Sequence, residues 1–386
     1  MKRPRMSRFR RIILAITTAI QLPFIAAAAE ALRRLGVPLA IAWLAAIVLA
    51  LIALAMFFGR AQNVAEDWHR PWWQTWLVDM PWFWHWCTCV YCMVPSIVYL
   101  VLEPIVDLAR GAPVGPSPGF FMWTYATGLV VCGYGCSLRR WFFVTRRVDV
   151  KIRGLDPRFD GFTIAQLSDL HIGALTPLWW AKRWARAANA AAADIVVVTG
   201  DMVTTGVAFH EDIAELVGDL RGKEGVYAIM GNHDYFGEGE PLVSLLRERG
   251  IHVLRNQGVV FEREGAQLFL AGIDDTWTKR ANLDIALADR PEAVPTVLLA
   301  HDPVSFPDAA RRKIELTLSG HTHGGQIAMP FLGRFINASK LAHSFHIGIY
   351  KNGDSTLYVH PGLGTTGVPM RLGAAPALAL LRLRAA

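Results

Sequence analysis

Charge is scarce in this chain of 386 residues: 18% Asp, Glu, Lys and Arg stand against 53% hydrophobic residues, a balance that leans towards a membrane protein. Cysteine is confined to one part of it. All five, Cys87, Cys89, Cys92, Cys132 and Cys136, lie in apolar stretches, and none follows Cys136. That excludes a disulfide framework from the rest of the chain, and the five themselves read as small apolar residues packed between helices. A basic excess is missing from the carboxy-terminal part. Residues 1–150 hold 15 Lys and Arg against 7 acidic residues, whereas residues 151–386 hold 24 against 25, so the formal net charge of +7 resides upstream. A near-neutral domain lacks the basic groove that strand binding needs, which disfavours a nucleic-acid partner. The apolar runs also lack titratable groups well inside them, apart from His85, so nothing points to transport.

What the amino-terminal part does have is apolar length. Uncharged residues run from Ile12 to Ala29 and, for 25 residues, from Leu35 to Gly59; further runs lie at about Trp84 to Leu102 and Phe120 to Leu138. A hydrocarbon core of roughly 30 Å needs about 20 such residues in a helix, so four membrane helices are expected within residues 1–147. The first run also has the look of a signal-peptide core, but a second long run follows it directly. Basic residues set the orientation. Lys2, Arg3, Arg5, Arg8, Arg10 and Arg11, then Arg60 and Arg70, then Arg139, Arg140, Arg146 and Arg147 fall on one side, against Arg33, Arg34 and Arg110 on the other. The positive-inside rule therefore places both termini on the cytoplasmic side of a multi-pass membrane protein; if the first run were cleaved, the remainder would face outward. Trp68, Trp72, Trp73, Trp76, Trp82, Trp84 and Trp86 lie between or beside the second and third runs, where indole rings suit the headgroup layer.

Residues 148–386 carry the chemistry. Five polar clusters each follow an apolar, strand-like run: Asp169-Leu170-His171 after Phe162 to Leu167, Gly200-Asp201 after Asp194 to Thr199, Gly231-Asn232-His233-Asp234 after Val226 to Met230, His301 after Thr296 to Ala300, and Gly320-His321-Thr322-His323 after Ile314 to Leu318. Ligands in open sheets bind beyond the carboxyl ends of the strands, so the five clusters can converge on one crevice. Carboxylates, imidazoles and an amide together form the mixed oxygen and nitrogen set that suits Mn, Fe or Zn. Two such ions about 3.5 to 4 Å apart neutralise phosphoryl oxygens and lower the pKa of a shared water, which answers the repulsion between a phosphodiester and hydroxide.

The order Asp-x-His, Gly-Asp, Gly-Asn-His-Asp, His, Gly-His-x-His resembles the calcineurin-like metallophosphoesterases, over roughly the last two thirds of the chain. Ser168-Asp169-Leu170-His171-Ile172-Gly173 and Gly320-His321-Thr322-His323-Gly324-Gly325-Gln326 resemble the membrane-linked bacterial branch, which includes enzymes similar to UDP-2,3-diacylglucosamine pyrophosphatases. The resemblance implies an α/β fold, in which a four-helix membrane region precedes a metallophosphoesterase α/β sandwich. It implies two divalent metal ions, with Asp169, His171 and His323 on one, Asn232, His301 and His321 on the other, and Asp201 bridging. It further implies hydrolysis of a phosphodiester or pyrophosphate, lipid-linked in the leading reading, by a hydroxide shared between the metals. His233 is then the general acid, and Asp234 fixes its tautomer. The glycines are expected to let the backbone turn sharply enough for the ligands to reach the metals. The chain departs from the pattern at His360-Pro361-Gly362, where an Arg-Gly pair is expected. A non-catalytic membrane binding or assembly module would be marked by a lost ligand or proton donor, and this chain keeps all of them.

The remaining polar residues have plainer readings. His210, His252, His343, His346 and His360 are expected on surfaces or loops, and Asp274-Asp275 either borders the substrate or forms a solvated turn. Leu178-Trp179-Trp180-Ala181-Lys182-Arg183-Trp184 opens an alanine-rich helix that either packs on the sheet or presents its tryptophans to lipid.

Overall fold

The structure, a computed structural model, describes residues 8–63, 71–111, 118–328, 338–341 and 343–386. Lys2, Arg3 and Arg5, Trp68 with Arg70, and the Gly and Pro stretch 112–117 lie outside the described residues. The chain divides into two units, with the break between Leu138 and Arg139.

The first unit is helical. Its long elements are Arg8–Arg34, Leu39–Asn63, Met80–Arg110 and Pro118–Cys136, the third of them continuous with a π-helical turn at Thr75–Asp79. Among the described residues, three segments are long and apolar enough to cross a membrane: Leu14–Arg34, Leu39–Met56 and Trp72–Arg110. The fourth expected span coincides with the 19-residue helix Pro118–Cys136. Large apolar side chains such as Leu39, Leu44, Leu51, Val94 and Val101 point outward, while Phe24, Ala27, Ala31, Cys89, Tyr99 and Phe121 pack together inside. Helices apolar on both faces suit a hydrocarbon surrounding. Small residues bring them close: a Cβ on Gly133 would lie 2.5 Å from the Trp84 ring. All five cysteines are buried and none is in a disulfide.

The second unit is a sandwich of two six-stranded sheets. One has the order β1-β12-β2-β3-β4-β5, from Val144–Ile152, Ala377–Ala385, Thr163–Leu167, Ile195–Thr199, Val226–Ile229 and His252–Val253. The other has the order β10-β11-β9-β8-β7-β6, from Gly348–Asn352, Ser355–Val359, Leu316–Ser319, Thr296–Leu299, Ala266–Gly272 and Gln257–Arg263. Strand β1 starts at Val144, four residues before the expected domain start at Val148. Strands β2, β3, β4 and β5 run parallel, as do β7, β8, β9 and β11.

Successive residues of these strands enter different cores. Leu268, Leu270, Val297 and Leu299 meet Ile164, Val197 and Ile229 in one cluster, whereas Phe269, Ala271, Leu298 and Ala300 pack with Ala309 and Ile314 in another. A strand covered on both faces needs a continuous apolar run, which is why Ile195–Val198 of β3 and Val297–Leu299 of β8 read as unbroken hydrophobic segments. The helix Leu178–Ala190 buries Trp180, Ala181, Trp184, Ala185 and Ala188 along one stripe. Trp180 and Trp184 therefore follow the packing reading. Trp179 is 59% exposed, its ring 5.7 Å from that of Trp141.

Candidate metal centre

The five polar clusters do converge, but from two sheets. Asp169, Asp201 and Asn232 follow β2, β3 and β4 of the first sheet; His301 and His321 follow β8 and β9 of the second. Main-chain bonds lock the segments to one another. Asp169 N donates to Gly200 O at 3.0 Å, His171 N to Asp201 O at 3.1 Å and Gly320 N to His301 O at 2.9 Å. The backbone is strained where the side chains are delivered. Asp169, His171, Asp201, His321 and His323 all adopt positive φ, between 46° and 67°. Such conformations cost about 1–3 kcal/mol each in a residue with a side chain and concentrate at functional sites, so five in one crevice mark it strongly.

Two groups are spaced to hold metal ions. Asp169, His171, Asp201 and His323 form one, Asp201, His301 and His321 the other, each with ligand atoms within 4.8 Å of one another. In the first, His171 Nε2 and His323 Nε2 face each other at 3.0 Å, and Asp169 Oδ1 lies 3.4 Å from His323 Nε2. In the second, His301 Nε2 is 3.2 Å from Asp201 Oδ2, and the Asn232 amide joins it with Oδ1 3.0 Å from His321 Nδ1. His301 donates from Nδ1 to Thr199 O at 2.7 Å, which leaves Nε2 as its ligand atom. Asp201 belongs to both groups, as a bridging residue must.

Electrostatics fit the same purpose. Burial pushes His171 down to about 3 and, with His301 close by, His321 to about 4; it also holds His323 far below the usual imidazole range. Those three rings stay neutral, the form that binds a metal. Burial pushes the Asp169 carboxyl up to about 6. Burial opposes charge on Asp201 and His301 as well, but their mutual attraction outweighs it, keeping Asp201 ionised and raising His301 to about 10. A divalent cation between them would supply the positive charge that Asp201 otherwise draws from a proton on His301. Asp169 Oδ2, buried and without a hydrogen-bond partner among the described residues, awaits a cation in the same way. The donor set fits a pair of divalent ions.

Two glycines matter through closeness rather than through turning. A Cβ on Gly231 would lie 2.3 Å from Asp201 Oδ1, and one on Gly320 would lie 2.4 Å from Asp169 Oδ2. The sharp turn expected of the motif glycines is made instead by Gly200, at φ 86°, and by Gly324 and Gly325, at 60° and 80°.

His233 sits over this centre, its ring 4.8 Å from that of His171. Its Nδ1 bonds to Thr204 O at 2.7 Å, and a carbonyl can only accept, so Nε2 is the nitrogen left for chemistry. Asp234 departs from expectation. Its Oδ1 accepts from Met202 N and Val203 N at 2.8 and 3.0 Å, and its Oδ2 from Gly231 N at 2.9 Å. A carboxylate consumed by three main-chain donors ties two loops together; the tautomer of His233 is set by Thr204.

Other sequence expectations also shift. His210, His346 and His360 are buried; His210 opens the helix His210–Gly218, while His346 and His360 lie just before β10 and just after β11. His252 is exposed as expected, and His343 lies with its ring 5.4 Å from His321, at the edge of the centre. Asp274-Asp275 is no solvated turn: both are buried, and Asp274 accepts from Tyr235 Oη at 2.6 Å and Arg255 Nε at 2.9 Å. Sequence reasoning passed over Thr199 and Thr204, whose main-chain oxygens orient His301 and His233; Thr204 Oγ1 also donates to His171 O at 3.1 Å. It also passed over Asp302, with Oδ2 3.8 Å from His321 Nε2, though its place directly after His301 was a usable clue.

Known proteins are similar to this chain over the same region. A family profile for calcineurin-like phosphoesterases matches residues 162–325, which contain all five clusters. The uncharacterized metallophosphoesterase YkuE of Bacillus subtilis is 30% identical over 256 residues, 65% of this chain and 89% of YkuE. A Bos taurus transmembrane protein with metallophosphoesterase domain is 32% identical over 256 residues, 62% of this chain and 56% of its own length. An uncharacterized metallophosphoesterase of Helicobacter pylori is 33% identical over 227 residues, 57% of this chain and 59% of its own. The chain thus spans little more than half of the last two, but nearly all of YkuE. Identity sustained over that length, with the Asp and His groups assembled as described, makes this protein a member of the calcineurin-like phosphoesterase family, metal-dependent hydrolases of phosphoric esters.

Proposed function

We propose that the protein is a membrane-anchored phosphoesterase with two metals, hydrolysing a phosphodiester or pyrophosphate carried on a lipid. The observation that carries this reading is the Asp201 carboxylate shared by two metal-holding groups, with the His233 ring beside them. Asp169, His171 and His323 would hold one ion and Asn232, His301 and His321 the other. When bound, such ions, Mn, Fe or Zn, neutralise phosphoryl oxygens and activate water. The chain's own part in bond cleavage is a proton. With Nδ1–H committed to Thr204 O, His233 in its imidazolium form donates from Nε2 to the departing oxygen. Asp234 keeps that loop in place.

The lipid element rests on the membrane unit. Three helices long and apolar enough to span, and a fourth beside them, are more anchorage than a water-soluble substrate calls for. The distribution of Lys and Arg favours a bacterial inner-membrane protein with four spans and its catalytic domain in the cytoplasm. A reporter fused after Ala386 tests that orientation, and activity only of a periplasmic reporter would refute it.

The decisive assay incubates detergent-solubilised protein and its His233→Ala variant with Mn and UDP-2,3-diacylglucosamine, with bis(p-nitrophenyl) phosphate alongside. Cleavage of both by the parent alone is the expected result. Cleavage of the chromogenic ester alone would discard the lipid substrate, and cleavage of neither by metal-loaded protein would discard the enzyme.

A further inference from the structure

Arg371 is fully buried, with no exposed surface, beside the first metal-holding group. A buried guanidinium must spend its donors on acceptors, and this one spends them on main-chain oxygens. Nη1 donates to Pro361 O at 2.6 Å and His323 O at 3.3 Å; Nε and Nη2 donate to Gly364 O at 3.1 and 2.5 Å. The loop that holds Pro361 and Gly364 is in turn bonded to the first metal-holding group. Leu363 N donates to Ser168 O at 3.0 Å and Gly364 N to Asp169 O at 2.7 Å. One side chain thus joins the loop of His323 to the loop that supports Asp169.

We infer that Arg371 is a positioning residue, clamping His323 and Asp169 into the geometry of one metal of the pair. The guanidinium packs closely on the loop 360–362: a Cβ on Gly362 would lie 2.9 Å from Arg371 Nη2 and 3.0 Å from Asp169 Cβ. The clamp works through the backbone. Nη2 is 3.4 Å from His323 Nδ1, a weak contact, whereas the carbonyl bonds hold the φ of 54° that aims the His323 ring. The neighbouring chain reinforces it, since Leu372 N donates to Gln326 O at 3.0 Å, three residues beyond His323. With no exposed surface, Arg371 does not touch substrate.

This inference rests on the two-metal reading, and metal binding separates the two. Full-length protein in detergent is equilibrated with Mn chloride, the bound Mn counted by dialysis, and the spin coupling of the ions read by electron paramagnetic resonance. The parent and His233→Ala are expected to bind two Mn with a coupled spectrum; a parent that binds none refutes the metal reading itself. Arg371→Met is expected to weaken one site about 10–100-fold, the usual effect of losing an outer support, and to give a mononuclear spectrum. Arg371→Lys, which keeps the charge without the fork, should fall between the two. If Arg371→Lys folds and binds two Mn with the parent's affinity and spectrum, the clamp is refuted. Loss of folding in the Lys variant would equally refute it, because the role would then be to hold the sandwich rather than the metal loops.

Discussion

The Nδ1 of His233 donates a 2.7 Å hydrogen bond to the main-chain oxygen of Thr204, in the loop that follows Asp201. One loop therefore supplies both a carboxylate shared by the metal-holding groups and the atom that orients the His233 ring. Substituting Thr204 leaves that oxygen in place, whereas substituting His233 removes the proton. His233→Ala should lower kcat about 10²–10⁴-fold with bis(p-nitrophenyl) phosphate, while the bound Mn stays at the parent level. Thr204→Ala should change kcat little. Steady-state kinetics with metal analysis on both variants checks this.

Asp234 is expected to act on stability. Its carboxylate satisfies the N–H groups of Met202, Val203 and Gly231, all buried. Asp234→Ala orphans three donors and should cost about 3 kcal/mol, lowering the melting temperature. Asp234→Asn keeps one acceptor oxygen and should melt in between. A parent-like melting curve with a displaced pH–rate profile would instead mark Asp234 as a partner of His233.

Gly231→Ala tests the closeness of the loops. Its Cβ would meet Asp201 Oδ1 at 2.3 Å and His301 Cε1 at 2.9 Å, too near for any real contact. Asp201 must move, so the variant is expected to fold yet lose Mn binding and activity together, as measured by dialysis and hydrolysis. Treating the parent with a chelator should abolish activity in the same way, and added Mn should restore it.

An acid-sensitive support lies far from the metals. Burial opposes charge on Asp194, but bonds from Thr163 N and Oγ1 at 2.7 Å each and ion pairs with Lys223 and Arg263 outweigh it, holding the carboxyl below its ordinary value near 3.8. A depressed folded-state pKa contributes stability that is present above the unfolded value and lost as pH falls through the folded one. Asp194→Asn should therefore be less stable than the parent near neutrality. The difference should shrink as the pH is lowered from about 5 to about 3. Thermal melts across that range decide it.

The sequence by itself determined five strand-like runs and the polar cluster that follows each of them. Each is a local event: a β-rich apolar run such as Ile195 to Thr199 ends in Gly200-Asp201, and neighbouring residues specify both halves of the pattern. Only the tertiary structure decided how the five runs divide between two sheets, because the apolar surfaces of β4 and β8 are alike until they are packed. It also decided what Asp234 does. An aspartate next to a histidine in sequence suggests a pair, yet the carboxylate turns towards Met202, Val203 and Gly231, and the histidine towards Thr204. Main-chain oxygens such as those of Thr199, Thr204 and Pro361 exist at every residue and leave no mark on side-chain identity, so their roles arise only when distant segments meet. Arg371 shows the same limit from the other side: its charge is visible in the sequence, but the three carbonyls that hold it are brought together by the fold alone.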